Sequence, residues 1–323
     1  MTRQLVIIAP MYDEKQSAAA FVSAVDAVCL PLTDVIVRLL IIDDGSRDGT
    51  AELLDKLAEQ RPHMAVLHLS RNFGHQAALS AGLDWVANQP DVDACLCMDA
   101  DLQHPSALIP ELLRLWQQGY EVVYTVRDDS KSEGLLKRTL SAWFYGVLNR
   151  LSEHPVPAGA ADFRLLDRKA LAALASLRER SRFLRGLSVW IGFRQIGLHY
   201  QAAPRHGGQS KYTWRKMIAL ALDGLVSTSA FPLRWVIGMG LLVSALALTY
   251  LVYVVGAYFL TDRAIVGWSS VIVSVLLLGG LQLVVLGMIG FYVAKVFDEV
   301  KARPLYVVRD AKVFSAAPPK SEP

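Results

Sequence analysis

Two aspartates placed two residues apart, Asp99 and Asp101, are the side chains best suited to bind one ligand together. They open the segment DADLQHP, and in an extended segment residues at this spacing share one side. Their carboxylate oxygens suit Mg²⁺ or Mn²⁺, which would also take oxygens from a substrate diphosphate. Gln103 continues the alternation and would add another oxygen. Such pairs are common on solvated loops, but this one lies between an apolar run and a helix starting near Pro105, which favours a metal site.

Two more polar segments, PMYDE and DDGSRDGT, follow the first two apolar runs of the chain. Asp44 closes the second run and is placed to accept hydrogen bonds from a base or a ribose. Tyr12 could cover a base and Glu14 could bind a base or ribose, although each alone could be an ordinary turn residue. Asp48 is expected to cap the next helix, because a carboxylate there accepts the unpaired N–H groups of a first helical turn.

The elements that must position these segments alternate along the N-terminal part of the chain. Strands are predicted at 5–10, 35–42, 65–69, 94–98 and 121–126, and helices near 16–29, 48–59, 75–88 and 106–118. This order predicts a mostly parallel α/β sheet covered on both faces, with ligands beyond the carboxyl ends of the strands. Because no GxGxxG follows the first strand and no GxxxxGKS/T occurs, dinucleotide-binding enzymes and P-loop NTPases lose their main signatures. HExxH and GxSxG are also absent.

Two uncharged apolar runs near the C-terminus, Trp235–Thr261 and Ala264–Ala294, predict membrane-spanning helices. Each is longer than the roughly 20 residues that cross a bilayer core. Only Asp262 and Arg263 separate them, so a two-helix transmembrane hairpin with a tight turn is expected. The alternative is a buried helix pair in a soluble protein, but such helices rarely run this long without a charge or a polar face.

Basic residues flank these runs and predict their orientation. Arg215, Lys216 and Arg234 precede the first run, and Lys295, Lys301, Arg303, Arg309 and Lys312 follow the second. The positive-inside rule therefore places both termini and the N-terminal domain in the cytoplasm. The apolar stretch at 4–9 is too short for a signal peptide. The predicted domains are 1–212, an interface helix at 213–232, the hairpin at 233–297 and a cytoplasmic tail at 298–323.

Composition limits the remaining function classes. The net charge of +3 does not indicate a nucleic-acid partner. Cys29, Cys95 and Cys97 are expected to be small buried core residues in a reducing compartment rather than disulfides or metal ligands. Residues 135–151 carry an apolar helical stripe beside basic residues, which is typical of a helix lying in a membrane interface, and 213–232 repeat the pattern. For both segments, packing on the domain is the alternative.

The polar segments occur in an order that resembles glycosyltransferase family 2, and more narrowly its membrane-bound polyprenyl-phosphate glycosyltransferases. Dolichol-phosphate mannose synthases and bacterial undecaprenyl-phosphate glucosyltransferases are of this type. The resemblance rests on PMYDE, IIDDGSRDGT and MDADLQHP, continues through SRNFGHQAALSAGLDWV, GAADFRLLDR and RHGGQSKY, and includes the paired apolar runs. Asp13 stands where many relatives have Asn. The resemblance covers nearly the whole chain.

The resemblance implies a GT-A fold, a nucleotide-diphosphate sugar donor and a role for each matching residue. Pro10, Tyr12, Glu14 and Asp44 would hold the nucleoside, while Asp99, Asp101 and Gln103 would hold the metal, Mg²⁺ or Mn²⁺, and the diphosphate. Arg127, Arg205 and Lys211 match basic positions that contact phosphates and, with Asp99 and Asp101, would be the catalytic residues. On the interface helix, Lys137, Arg138 and Ser141 are candidate contacts of the acceptor phosphate.

The reaction that the resemblance implies moves one sugar, with glucose from UDP-glucose as the best guess, onto undecaprenyl phosphate with inversion. It would take place at the cytoplasmic face of a bacterial inner membrane, which the chain crosses more than once. A lipid monophosphate is already anionic near neutral pH, so no dedicated general base is expected. UDP-N-acetylglucosamine, GDP-mannose or another nucleotide sugar remain alternatives for the donor, because no residue identifies the sugar. A processive synthase would usually carry QxxRW, which is absent, and a non-catalytic membrane scaffold would not need the acidic pair. Self-association and a flippase or downstream transferase partner are further expectations.

Overall fold

The computed structural model describes residues 2–128, 157, 159–180, 182–201, 231–260 and 267–314. The chain divides into two compact units, one formed by 1–212 with 303–323 and the other by 213–302. Several predicted features lie outside the described residues. These are Arg205, Lys211, Lys137, Arg138, Ser141, the segment 135–151, and 213–232 apart from its last two residues.

The first unit is built on a mixed sheet that has eight strands within the described residues. They are β1 (Arg3–Met11), β2 (Val35–Asp43), β3 (Met64–Leu69), β4 (Ala94–Cys97), β5 (Val122–Asp128), β6 (Ala160–Asp167), β7 (Gln195–Gln201) and β8 (Val308–Lys312). Their order is β7-β5-β6-β4-β1-β2-β3-β8. All five predicted strands are confirmed and run in one direction, as does β7, whereas β6 and β8 run the opposite way.

Helices cover both faces of this sheet, as predicted. They are α1 (Ala18–Cys29), α2 (Thr50–Glu59), α3 (His75–Ala87), α4 (Ile109–Gln117, after a short 3₁₀ turn), α5 (Arg168–Ser176) and α6 (Leu184–Trp190). Alternate residues of β1 point to opposite faces, so Ile7 belongs to the core that contains Phe21, and Ile8 to the core that contains Leu79. The helix α3 packs closely on β1 at Gly82, where a Cβ would lie only 2.3 Å from Ile8 Cγ2.

The three cysteines occupy this core, as the sequence predicted. Cys29, Cys95 and Cys97 are all free and buried. Burial, with a smaller contribution from the nearby Asp26 charge, raises the pKa of the Cys29 thiol to about 12. A thiol that stays protonated is a poor nucleophile and a poor metal ligand, so these side chains serve packing.

The segment after residue 302 returns to the sheet, which the sequence analysis did not predict when it assigned 298–323 to a tail. Its strand β8 pairs antiparallel with β3 at the edge of the sheet. Lys312 Nζ lies 2.8 Å from Glu59 Oε1, and the Tyr306 hydroxyl donates to Asp84 Oδ2 at 2.9 Å. The sequence of β8 is VRDAK, whose side chains are mostly exposed, so it lacks the apolar alternation by which buried strands are predicted.

The second unit contains two long helices, α7 (Phe231–Leu260, 30 residues) and α8 (Trp268–Val300, 33 residues). Within the described residues, one stretch, Leu277–Val300, meets the length and apolarity of a membrane span, with a mean hydropathy of 2.0. None of its 18-residue apolar window is buried. Length and apolar composition alone thus support one span within the described residues. The predicted hairpin of two spans is not confirmed.

Candidate active site

The loops that follow β1 and β2 are joined by hydrogen bonds at the carboxyl edge of the sheet. The Asp13 N–H donates to Ser46 Oγ at 3.0 Å, and the Arg47 N–H donates back to Asp13 Oδ1 at 2.8 Å. Asp13 adopts a positive φ of 52°, a conformation that Asn and Asp tolerate better than most residues. Between these contacts Tyr12 remains 42% exposed, so its ring is available to cover a ligand.

Glu14 and Asp48 connect the same two loops to the first turns of α1 and α2. The Glu14 N–H donates to Thr50 Oγ1 at 3.0 Å, and its carboxylate accepts a hydrogen bond from the Ser17 hydroxyl. Asp48 accepts hydrogen bonds from the N–H groups of Thr50, at 3.0 Å, and of Lys15, at 3.2 Å. Asp48 therefore satisfies the N–H of Thr50, the first residue of α2, but the N-cap position predicted for it is occupied by Gly49.

Asp44 fixes the loop that leads into α3. Its two oxygens accept hydrogen bonds from the N–H groups of Phe73, at 2.8 Å, and Gly74, at 2.9 Å. Burial raises the pKa of the Asp44 carboxyl, and these two hydrogen bonds offset only part of that effect. The backbones approach so closely here that a Cβ on Gly45 would lie 2.4 Å from the Arg71 carbonyl carbon. The contact brings the N-terminus of α3 to the edge where β1 and β2 end.

The acidic pair follows β4 on a bent segment rather than an extended one. The Gln103 N–H donates to Asp101 Oδ1 at 3.0 Å, and Leu102 adopts a positive φ of 61°. The extended alternation that was expected through Asp99, Asp101 and Gln103 is thus wrong, because the backbone turns at Leu102, while the role of Gln103 as a ligand stays a prediction. The proximity of β1 and β4 is retained, since the Met98 N–H donates to the Ile8 carbonyl at 3.0 Å.

A buried histidine, His104, lies beneath this bend. Its Nδ1 accepts a hydrogen bond from the Asp99 N–H at 3.1 Å, which assigns the ring proton to Nε2. The ring stacks on Phe163 with centroids 5.1 Å apart. Burial lowers the pKa of His104, although the carboxylates of Asp99, Asp101 and Asp162 oppose that effect. A neutral His104 therefore holds the backbone of the acidic segment in place.

A second histidine, His75, approaches Asp99 from the first residue of α3. Its Nε2 lies 3.3 Å from Asp99 Oδ1 and 3.8 Å from Asp162 Oδ2. Burial alone would lower the pKa of His75, but the two carboxylates reverse the direction and raise it. Asp162 in turn accepts two hydrogen bonds from Arg185, both of 2.9 Å. Burial opposes ionisation of Asp162, yet His75 and Arg185 hold the pKa of its carboxyl far below the usual range.

The ends of β5 and β7 complete this edge with Arg127 and Tyr200. The two residues are partners in the register of the parallel pair. Arg127 is exposed, whereas Tyr200 is buried, and burial raises the pKa of the Tyr200 hydroxyl. Register partners project to the same face of a sheet, and the Tyr200 ring lies 6.2 Å from the His104 ring, so Arg127 is on the face that carries the acidic segment. Pro10 is buried at the end of β1.

Residues 6–174 match the family described as Glycosyl transferase family 2, more than half of the chain. The chain belongs to this family. Relatives are similar in sequence to this chain over nearly its full length and their own. An uncharacterized glycosyltransferase of Synechocystis is 38% identical over 310 residues, which cover 96% of each chain. The bactoprenol glucosyl transferase of Shigella phage SfII is 34% identical over 311 residues, covering 95% of this chain and 97% of its own.

Solved structures similar to this glycosyltransferase are more distant. A mannosyltransferase from Pyrobaculum calidifontis, in complex with GDP-Man and Mn²⁺, has a TM-score of 0.47 at 16% identity, covering 69% of this chain and 63% of that one. Glucosyl-3-phosphoglycerate synthase from Mycobacterium tuberculosis, with Mn²⁺ and UDP, has a TM-score of 0.42 at 16% identity over 69% and 78%. The family match, together with the sheet order, identifies the mixed α/β sheet of this chain as GT-A type.

The acidic pair of the glycosyltransferase fits a divalent cation that takes few ligands from protein. Asp99 Oδ1 is buried and receives no hydrogen bond of acceptable geometry, since His75 Nε2 lies within ion-pair range only. A buried carboxylate oxygen without a donor is an acceptor left for a cation. No group of three or more His, Cys, Asp or Glu ligands occurs among the described residues. That donor set suits Mg²⁺, which keeps several waters and binds substrate phosphates through one or two carboxylates.

Besides His104 and Tyr200, three residues around Asp99, namely His75, Asp162 and Arg185, were given no role in the sequence analysis. His75 and Asp162 do occur in the segments SRNFGHQ and GAADFRLLDR that carried the family resemblance, whereas Arg185 lies in neither. Their convergence depends on the positions of α3, β6 and α6 around the edge of the sheet. A run of residues along the chain contains no signal for such a contact, because β6 is inserted between β4 and β5 out of sequence order.

Proposed function

We propose that this glycosyltransferase transfers a single glucose from UDP-glucose, with inversion, onto undecaprenyl phosphate at the cytoplasmic face of the membrane. The observation that carries the proposal is similarity over nearly the whole chain, long helices included, to proteins named bactoprenol glucosyl transferase. One of these, from Shigella phage SfV, is 34% identical to this chain over 314 residues, and the aligned region spans 99% of the phage protein. The product would be a lipid-linked sugar used in later modification of cell-envelope glycans.

The donor is proposed to lie along the carboxyl edge of the sheet. Pro10, Tyr12, Glu14 and Asp44 would hold its nucleoside, and Asp99, Asp101 and Gln103 would hold Mg²⁺ or Mn²⁺ with the diphosphate. A divalent cation at this position would neutralise the negative charge that develops on the departing nucleoside diphosphate. The same charge would be stabilised by three basic side chains that would already be in place before the reaction starts: Arg127, Arg205 and Lys211. Asp44 would act from a buried position, through the loop it anchors as much as by direct contact.

The acceptor is proposed to need no general base. The second pKa of a phosphate monoester is near 6, so an oxygen of the lipid phosphate is anionic when it attacks the anomeric carbon. Asp162 is a buried carboxylate that contacts His75, the neighbour of Asp99. Both of its oxygens accept hydrogen bonds from Arg185. A carboxylate that is held ionised by a bidentate arginine accepts a proton poorly. Single displacement on such an acceptor inverts the configuration of the sugar.

The membrane anchor is proposed to be a hairpin formed by α7 and α8, with the N-terminal domain and the segment after 302 in the cytoplasm. Their lengths of 30 and 33 residues exceed the roughly 20 that cross a bilayer core. Interface helices at 135–151 and 213–232 would bring the acceptor to the site, with Lys137, Arg138 and Ser141 at its phosphate. Self-association and a flippase partner belong to the same proposal.

The deciding experiment supplies membranes containing the full-length protein with undecaprenyl phosphate and a panel of radiolabelled sugar nucleotides. UDP-glucose should give one radiolabelled, lipid-extractable product that carries a single sugar. Transfer from UDP-N-acetylglucosamine or GDP-mannose alone would reassign the donor and leave the acceptor intact. A polymer would indicate a processive synthase. Donor binding without any lipid product would indicate a scaffold and overturn the proposal.

A further inference from the structure

Asp99 is contacted by two histidines that come from different elements. His104, five residues further along the same segment, accepts the Asp99 N–H at 3.1 Å and so holds its backbone. His75, on α3, reaches the carboxylate itself, with Nε2 lying 3.3 Å from Oδ1. His104 Nε2 lies 3.7 Å from the other oxygen, Oδ2, so His75 is the nearer of the two imidazoles to the carboxylate and the one that comes from outside its own segment.

His75 is itself held from two directions. On the backbone side, Asp44 binds the N–H groups of Phe73 and Gly74, the two residues immediately before it. On the side-chain side, Nε2 lies 3.8 Å from Asp162 Oδ2. Asp162 is only 4% exposed and is fixed by two hydrogen bonds of 2.9 Å from Arg185. The imidazole therefore bridges the ion pair of Asp162 with Arg185 and the first aspartate of the acidic pair.

We propose that His75 is a positioning residue that directs the Asp99 carboxylate toward the divalent cation and so sets the affinity of the site for that cation. The inference rests on the proposed function, in which Asp99 and Asp101 hold the metal. Carboxylates that bind metals are commonly hydrogen-bonded by neighbouring residues, and loss of such a neighbour typically costs 10–100-fold in metal affinity. Asp162 acts through His75, because its carboxylate keeps the imidazole beside Asp99.

The test measures Mn²⁺ binding to the detergent-solubilised full-length protein, by electron paramagnetic resonance of free Mn²⁺, without nucleotide and without turnover. His75→Leu removes the ion-pair contact with Asp99 and should raise the Kd for Mn²⁺ about 10–100-fold. His75→Gln retains an N–H at the end of the side chain and should bind Mn²⁺ nearly as the unaltered protein does. Asp162→Asn should weaken binding in the same direction as His75→Leu.

The matched control is His63→Gln, which removes a His–Asp contact of 2.8 Å, with Asp26, at the opposite edge of the sheet. Its Mn²⁺ affinity should not change. Thermal unfolding of each variant identifies any that fail to fold. Equal Mn²⁺ affinity of His75→Leu and the unaltered protein would overturn the inference. So would a loss of UDP affinity in EDTA with Mn²⁺ affinity unchanged, because His75 would then contact the diphosphate.

Failure of the proposed metal site has a different outcome. Asp101→Ala serves as the reference, because it removes a proposed ligand that His75 does not contact. If the unaltered protein bound Mn²⁺ no better than Asp101→Ala, the metal site itself would be refuted and the positioning role with it. If Asp101→Ala lost Mn²⁺ binding while His75→Leu kept it, the metal site would stand and only the role of His75 would fail.

Discussion

At the residue scale, the two carboxylates of the acidic pair have different surroundings. Asp101 accepts a hydrogen bond from the Gln103 N–H within its own bend, whereas Asp99 lies between two histidines. The spacing of the aspartates predicts them as ligands, and that assignment stays a prediction. Their neighbours could not be predicted in the same way, because His75, which reaches Asp99, and Asp162, which reaches His75, come from distant parts of the chain.

Asp101→Ala should leave the protein folded and membrane-bound but reduce sugar transfer by at least on the order of 10²-fold, the cost of removing one stabiliser of developing charge. EDTA should abolish transfer by the unaltered protein, and added Mg²⁺ or Mn²⁺ should restore it. The measurement is radiolabelled sugar in the lipid extract. Asp91→Ala, which removes an exposed carboxylate paired with Arg38 at 2.9 Å, is the control and should remain active. Full activity of Asp101→Ala would refute its role as a ligand.

At the scale of elements, apolar strands with turn-forming ends were predictable, and strands with other surroundings were not. β1 to β5 are mostly buried apolar runs, and a polar segment follows each of them. The apolar run and the polar residues after it therefore predict the same strand and the same strand end. β6 has the sequence AADFRLLD, which includes the buried Arg164 paired with the backbone of Ala161 and Leu184. A charged residue inside an apolar stretch argues against a buried strand when only the sequence is read. The Leu184 carbonyl that accepts a hydrogen bond from the Arg164 guanidinium is 20 residues away and cannot be inferred from the segment itself.

Gly82→Ala should destabilise the N-terminal unit, because the new Cβ would lie 2.3 Å from Ile8 Cγ2. Overpacking of this kind typically costs about 1–3 kcal/mol, and chemical unfolding of the solubilised protein would measure it. The control repeats the substitution on an Ile8→Ala background, where the clashing atom is gone and the added cost should largely vanish. An equal cost on both backgrounds would show that α3 and β1 are not in contact at this point.

At the scale of the whole molecule, the chain leaves the sheet unit, forms the helical unit and then returns as β8. The middle of the returning strand pairs with a buried histidine, His68, whose two ring nitrogens both face carboxylates. Nδ1 lies 2.9 Å from Asp43 and Nε2 lies 3.1 Å from Asp55, while Asp310 of β8 is 3.9 Å from Nε2. Burial alone would lower the pKa of His68, but the hydrogen bonds to Asp43 and Asp55 raise it.

This pKa predicts how stability depends on pH. A raised folded-state pKa means that the charged imidazole stabilises the fold fully below its unfolded pKa, near 6.5, and that this contribution is lost as pH rises through the folded value. His68→Gln should therefore be less stable than the unaltered protein at pH 6, with a difference that narrows toward pH 9. Thermal unfolding across this range measures the difference. His63→Gln is the control for a half-buried histidine, and a gap for His68→Gln that widens with pH would contradict the assignment.

The proposed topology can be tested by thiol labelling in cells. Cys29, Cys95 and Cys97 are buried and would be replaced first to remove background. A cysteine at Thr261 or Ala264 should react with an impermeant reagent from the periplasm, because the hairpin tip carries one Arg offset by one Asp. A cysteine at Ser315 should react only after permeabilisation. Labelling at 315 in intact cells would overturn both the orientation and the cytoplasmic route to the donor.

The position of β8 also imposes an order on biosynthesis. Residues 213–302 must be translated before the last strand can leave the ribosome, so β3 keeps an open edge for on the order of ten seconds at ordinary rates of synthesis. An open edge with unpaired N–H and C=O groups invites pairing with other chains. A chain cut after residue 212 would keep that edge permanently. Attempts to produce the N-terminal domain alone should therefore yield aggregates, and supplying 303–323 after 212, through a linker long enough to cross the sheet from the edge of β7 to that of β3, should restore solubility.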